Sequence, residues 1–483
     1  MKPLRRTKIV ITLGPAVDDP EVMQRVIANG ADVFRANFSH GDLATHEKRI
    51  DQVRQIAKSQ GKEVAILVDL QGPKIRISRF KNKKIILKEG QSFVLDTDLG
   101  TNDGTEETVG LDYKTLPKDV HAGDTLLLDD GRIVMQVKKV QGGQIHCIVL
   151  AGGDLSDNKG INRLGGGLSA EALTDKDKQD IKDAARLHAD YLAVSFPRNG
   201  KDIHQARDLL KAAGGHAGII AKIERTEAID NLNDILEASD AVMVARGDLG
   251  VEIGDAELPA AQKLIIRSAR KFCKPVITAT QMLDSMTNSP IPTRAEVLDV
   301  ANAVLDGTDA VMLSQETAVG KYPDKAVAAM DRICLSAEKN PSSKALRHRV
   351  DARFERVDEA IAVATMNTAN HLDIKAIIAL TESGTTALLM SRVKSNIPIY
   401  GLSPHITTLR RLALYRGVYP ILFDARHTDR RILNQSAVSE LQNREIIDNG
   451  DLVILTKGDL IGVHGSTNSM KIVTVGSLPK VEL

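Results

Sequence analysis

The chain has 483 residues, 64 basic against 63 acidic side chains and a net charge of +1, with 42% hydrophobic and 26% charged residues. That length exceeds one ordinary core and points to two to four globular domains. Balanced charge, 3% aromatic content and the lack of Trp leave no field or stacking surface for nucleic acid and no attraction to anionic membranes.

Cys147, Cys273 and Cys334 are scattered and odd in number, which fits neither a disulfide framework nor a zinc spacing. A reducing, cytoplasmic compartment is expected. The first apolar run, residues 9–13, is too short for a signal-peptide core, and no stretch approaches a membrane span.

In chain order, residues 8–13 read as a strand closed by Gly14-Pro15. Asp19 and Pro20 open a helix with an apolar stripe of Val22, Met23, Val26 and Ile27. In the second strand, 31–39, alternation puts Val33, Arg35, Asn37 and Ser39 on one face and Phe34, Ala36 and Phe38 on the other. A helix over 46–58 leads to a third strand, 64–70. From about Gly72 short alternating or β-branched runs, 84–87, 92–95, 125–128, 132–140 and 144–150, are punctuated by turn signals, an all-β insert. Strand–helix alternation resumes with strands at 191–196, 219–224, 241–248, 275–281 and 310–316. Eight strands in stretches (1–71 and 170–345) that together approach the ~250 residues usual for the fold predict an α/β protein built on a (β/α)8 TIM barrel. The insert spans 72–169, and 346–483 forms a further α/β unit with strands at 376–381, 398–402, 418–423, 451–456 and 471–475.

The carboxyl ends of barrel strands are where such folds place their chemistry. The second strand brings Arg35, Asn37, Ser39 and His40 there, and the third brings Asp69, followed by Lys74 and Arg76. Lys222 and Glu224 leave the fifth on one face, Arg246-Gly247-Asp248 ends the sixth, and Thr278, Thr280, Ser314 and Glu316 end the last two. Cations on several strands with two close-spaced carboxylates point to phosphoryl chemistry. Mg2+ takes one or two protein oxygens and fills its shell with substrate and water, while Arg and Lys suit phosphoryl oxygens. Acyl transfer lacks its Ser/His/Asp or Cys/His constellation.

The motifs Asn-Phe-Ser-His (37–40), Asp-Leu-Gln-Gly-Pro-Lys-Ile-Arg (69–76), Ile-Ile-Ala-Lys-Ile-Glu (219–224), Met-Val-Ala-Arg-Gly-Asp-Leu-Gly (243–250), Thr-Ala-Thr-Gln-Met-Leu (278–283) and Met-Leu-Ser-Gln-Glu-Thr (312–317) resemble those of the pyruvate kinase family, in order over nearly the whole chain. The stretch 158–167 resembles its bacterial type II branch. The resemblance implies a barrel domain, a β-barrel lid, a C-terminal allosteric domain and a homotetramer moving phosphate between phosphoenolpyruvate and ADP, giving pyruvate and ATP. It implies Lys222 as transition-state stabiliser, and Glu224 and Asp248 as ligands of Mg2+ or Mn2+. Arg35, Thr280 and the Gly247–Asp248 backbone would position the substrate, and Asn37, His40, Arg76 and Lys159 the nucleotide. Thr280 or Ser314, through water, would supply the proton to the enolate. Gln315 departs from the Gly of many relatives.

Two regulatory expectations follow from the same resemblance. Thr381, Ser383, Thr385 and Thr386 precede a helix expected at Ala387 and would cradle the phosphate of a sugar monophosphate or AMP effector, with the loop 458–469 contacting the remainder. A monovalent cation would take oxygens at Asn37, Ser39, Asp69 and the Leu70 carbonyl. Lys74 and Leu70 differ from the Glu and Thr of the potassium-dependent branch, so K+ is expected not to be required, its charge supplied by Lys74. The rival readings are a Schiff-base aldolase centred on Lys222 and a catalytically inactive metabolite sensor.

Overall fold

A computed structural model describes residues 4–340, 353–425, 432–459 and 465–477. Its centre is a closed barrel of eight parallel strands: Lys8–Thr12, Val33–Asn37, Ala65–Asp69, Tyr191–Val194, Gly218–Ile223, Ala241–Ala245, Val276–Ala279 and Ala310–Leu313. The first strand pairs with both the second and the eighth, which leaves no open edge. All eight coincide with expected strands, but several stop sooner. Arg246–Ile253 and Gln315–Ala318 are helical, so Asp248 and Glu316 sit in first turns rather than on strands.

The two-residue period sorts the strand side chains as expected. Val33, Leu67, Ile220 and Met243 fill the barrel interior. Phe34, Ala36, Ile66 and Ile219 pack outward against the helices. Thr278 belongs to the outward set: its hydroxyl donates to Thr308 Oγ1 at 3.0 Å, in the buried wall. Its place among the mouth residues is thereby corrected. The first helix, Pro20–Ala28, is capped by the Asp19 carboxylate, which accepts from the Glu21 N–H. The second begins earlier than expected, at Leu43–Ser59, because the Asp42 carboxylate accepts the Thr45 N–H and nucleates it there.

After the third strand the chain turns at Gly72, whose φ of +66° places it in the left-handed region. A Cβ there would lie 2.7 Å from Ser195 Cβ, so only glycine allows the exit. The inserted segment folds around its own core as a six-stranded sheet and a two-stranded ribbon. The short strands Thr108–Gly110, Gly153–Ser156 and Ile161–Arg163 add to those expected; at three or four residues they carry no readable alternation. The C-terminal unit is a five-stranded sheet with one antiparallel edge. It packs beneath the barrel, where Tyr191 donates to the Arg411 carbonyl at 2.8 Å and the Lys8 ammonium to that of Val418 at 2.6 Å. The junction expected at 345–346 lies outside the described residues.

Candidate active site

Lys222 follows Ile220 on the interior face of the fifth strand, so its side chain rises through the barrel toward the carboxyl ends. Its ammonium lies 2.9 Å from Glu224 Oε1 and 3.3 Å from Asp69 Oδ1, and donates to Ser195 Oγ at 2.7 Å. Ser195 in turn donates to the Leu70 carbonyl at 2.7 Å. Arg35 lies against the other side of Asp69, Nε to Oδ2 at 2.6 Å, and Nη1 donates to Thr12 Oγ1. Both carboxylates are 1% exposed, so each would be costly to ionise without these cations.

Burial opposes ionisation of Asp69, but Lys222 and Arg35 together hold its carboxyl below the usual range. Burial likewise works against the Lys222 charge, and Asp69 and Glu224 overcome it, so the ammonium holds its proton more tightly than a free lysine. Glu224 is pushed up, chiefly by burial and further by the nearby Asp248 charge, against the pull of Lys222. Two carboxylates close enough to repel, with Asp248 only half-buried, suit a hard divalent cation that completes its shell with substrate and water. No group of three or more His, Cys, Asp or Glu able to cage a metal occurs among the described residues.

The rest of the mouth is positioned by long-range hydrogen bonds. Thr280 and Gln281 have φ of +68° and +53°, conformations that cost energy in side-chain-bearing residues, most of all in a β-branched one. Buried Arg246 holds them there, donating to the Thr280 carbonyl at 2.7 Å and the Ala279 carbonyl at 3.2 Å while pairing with Asp299. The Thr280 hydroxyl accepts from the Gly247 N–H at 2.8 Å and donates to the Ala279 carbonyl. Arg246 therefore builds the wall of the mouth and does not face into it. Glu316 is also structural: its carboxylate accepts from the Ser314 and Leu283 N–H groups.

Lys74, on the segment leading into the insert, reaches Asp248 Oδ1 at 3.0 Å, and its Cε lies close to Gly160. It thus bridges insert and barrel rather than pointing to solvent. Arg76 donates to the Asn158 carbonyl, and Lys159 pairs with Asp129 at 2.7 Å, both within the insert. His40 is exposed, and Asn37 Oδ1 accepts from the Ser39 N–H. In the C-terminal unit Thr381, Ser383, Thr385 and Thr386 line one cavity with Lys457 and Gly458. The helix behind them is Thr385–Ser391, two residues earlier than expected, because Gly384 at φ +85° supplies the turn. The Thr386 hydroxyl shares a hydrogen bond with Thr467, and residues 460–464 of the expected contact loop lie outside the described residues.

Sequence reasoning missed Thr12, Ser195 and the Phe196 N–H, which donates to Glu224 Oε2 at 2.9 Å. Parity carried a signal for two of them: Thr12 is two residues from interior Val10, and Ser195 two from interior Ala193.

A closed (β/α)8 barrel with an inserted β domain, whose mouth holds a buried lysine between carboxylates beside an arginine, defines a TIM-barrel enzyme built to act on negatively charged oxygens. The family model described as "Pyruvate kinase, barrel domain" matches residues 4–327, and that described as "Pyruvate kinase, alpha/beta domain" matches 359–473. The chain is 57% identical over 476 residues to "Pyruvate kinase II" of Salmonella typhimurium, covering 98% of this chain and 99% of that protein. To the pyruvate kinase of Haemophilus influenzae it is 54% identical over 459 residues, covering 94% and 96%. The chain belongs to the pyruvate kinase family, and it is a phosphotransferase.

Proposed function

We propose that this enzyme transfers the phosphoryl group of phosphoenolpyruvate to ADP and protonates the resulting enolate to pyruvate, the closing step of glycolysis, in the cytoplasm. The observation that carries this reading is the Lys222 ammonium fixed at once by Asp69, Glu224 and Ser195 at the barrel mouth. Its charge needs no reorganisation to meet the phosphoryl oxygens in flight, the condition for electrostatic stabilisation of a transition state. Arg35, held by Asp69 and Thr12, binds the phosphate alongside it, while Thr280 and the Gly247–Asp248 backbone seat the carboxylate end. Asn37, His40, Arg76 and Lys159 take the nucleotide, the last two carried by the inserted domain, which acts as a lid over residues 72–169. Glu224 and Asp248 would hold Mg2+ or Mn2+, which when bound neutralises phosphate oxygens as a Lewis acid. Proton delivery to the enolate falls to Thr280 or Ser314, acting through water.

The Lys74–Asp248 contact supports a potassium-independent site: a covalently tethered positive charge stands beside the carboxylate pair. The Thr381–Thr386 cavity supports activation by a sugar monophosphate or AMP through an allosteric domain at 346–483, and family membership is the ground for a homotetramer. The Schiff-base alternative needs a neutral amine, and flanking carboxylates that strengthen the Lys222 proton disfavour it. The deciding experiment is a lactate-dehydrogenase-coupled assay with phosphoenolpyruvate, ADP and Mg2+; no turnover from well-folded protein refutes the reading, and imine trapping by borohydride with a keto acid would revive the aldolase.

A further inference from the structure

Beneath the barrel, on the side away from the mouth, a cavity of about 590 Å³ lies between the barrel and the C-terminal unit. That volume is in the range of small-molecule sites. Its walls carry Arg54 from the barrel helix Leu43–Ser59, Arg410 and Arg411 from the C-terminal helix Ile406–Leu412, and His188, His216 and His405. Four carboxylates act on these cations: Asp190 and Glu382 on the cavity wall, with Asp51 beside Arg54 and Glu63 beside Arg410. Burial pushes the Asp190 carboxyl up to about 6, against the Ile66 N–H that it accepts at 2.8 Å and the pull of Arg410, Arg54 and Arg411, while Glu382 lies 2.8 Å from His405 Nε2.

The arginines are under-satisfied. The half-buried Arg410 guanidinium has no close hydrogen-bond or ion-pair contact among the described residues, and its charge acts at longer range on Asp190 and Glu63. Arg54 donates through Nη2 to the Leu187 and His188 carbonyls, but its Nε is buried without a partner. Burial, and then the like charge of Arg410, weaken the hold of Arg54 on its proton, against a smaller opposite pull from Asp190 and Asp51. Two guanidinium groups that repel each other across a domain boundary are stabilised by an anion between them, and their planar forks match phosphate geometry.

We infer that this cavity is a second anion site, separate from the Thr381–Thr386 cavity, which takes a small phosphate-bearing metabolite between Arg54 of the barrel and Arg410 of the C-terminal unit. An occupant there clips the two units together. Glu382 and Ser383 line both cavities, so an anion in one presses on a wall of the other, and any coupling of affinities must be reciprocal.

The test is residue-resolved protection of arginines from phenylglyoxal, read by peptide mass spectrometry on the full chain. Inorganic phosphate, ribose 5-phosphate and ribose serve as probes. Arg54 and Arg410 are expected to be protected several-fold by both phosphate compounds and not by ribose. Stronger protection by ribose 5-phosphate identifies an organic phosphate as the occupant, and equal protection the free anion. In Lys457→Ala, which alters only the other cavity, protection should persist. In Arg410→Gln, Arg54 should need at least about tenfold more phosphate for the same protection, the scale of losing charge-assisted hydrogen bonds. No protection by phosphate, equal protection by ribose, loss of protection in Lys457→Ala, or unchanged phosphate demand in Arg410→Gln each overturns the proposal. A phosphate-induced rise in melting temperature that is smaller in folded Arg410→Gln than in the unmodified chain supports it by a second readout, and equal rises overturn it.

Discussion

Replacing Lys222 by Met separates what the ammonium does for the fold from what it does for turnover. At an effective dielectric constant of about 20, pairs at these separations each carry roughly 5–6 kcal/mol of attraction. Much of that is offset by desolvation of the ammonium and by repulsion from Arg35. What remains visible is the cost of leaving buried carboxylates uncompensated, about 3–5 kcal/mol when one partner of such a group is removed. Lys222→Met is therefore expected to melt well below the unmodified enzyme. Adding Glu224→Gln should restore part of the loss, because it removes one of the stranded charges while leaving an acceptor for the Phe196 N–H. Turnover behaves differently: Lys222→Met should lose on the order of 10²–10³-fold or more, with phosphoenolpyruvate binding affected far less, and the second substitution should restore none of it. Thermal unfolding, the coupled assay and direct measurement of substrate binding check all three statements. Near-normal turnover of Lys222→Met refutes the catalytic role, and a double variant whose stability losses simply add refutes the electrostatic account.

Four further outcomes are expected. The unmodified enzyme should be active in potassium-free buffer with tetramethylammonium, and Lys74→Glu, which turns a tethered cation into an anion beside Asp248, should create a demand for potassium; strict potassium dependence of the parent overturns this. A panel of sugar monophosphates and AMP should contain an activator whose effect is lost in Ser383→Ala, and a flat response across the panel sinks the effector site. Ser195→Ala removes the acceptor that aims the Lys222 ammonium and should lower kcat by about tenfold with little change in KM, whereas an unchanged kcat would make Ser195 incidental. Burial pushes Glu252 up to about 7 against the pull of the Thr226 N–H and Arg225. A raised carboxyl favours the folded state fully below its unfolded value of 4.5, and that contribution is lost as pH rises through the folded one. Glu252→Gln should accordingly be near neutral at pH 5 and stabilise by up to about 3 kcal/mol at pH 8, scaled from the shift; a melting-temperature gain that does not grow between those pH values refutes the assignment.

The sequence by itself determined the eight barrel strands, the β insert and the five C-terminal strands, because alternation with period two and turn residues are local signals. It also assigned faces: the parity that put Arg35 with Val33 on the second strand is the one observed in the barrel. Parity does not say which strands become neighbours or how a strand ends. Only the tertiary structure brought Lys222, from the fifth strand, against Asp69 from the third and Ser195 just past the fourth. Only it turned Thr278 into the wall and made Arg246 a clamp on Thr280. The left-handed backbone at Thr280 and Gln281 is opposed by local propensity and held by hydrogen bonds from another strand's end, so no local reading could predict it. The cavity between Arg54 and Arg410 arises from the packing of two separately folded units, a relation that neither stretch of sequence contains.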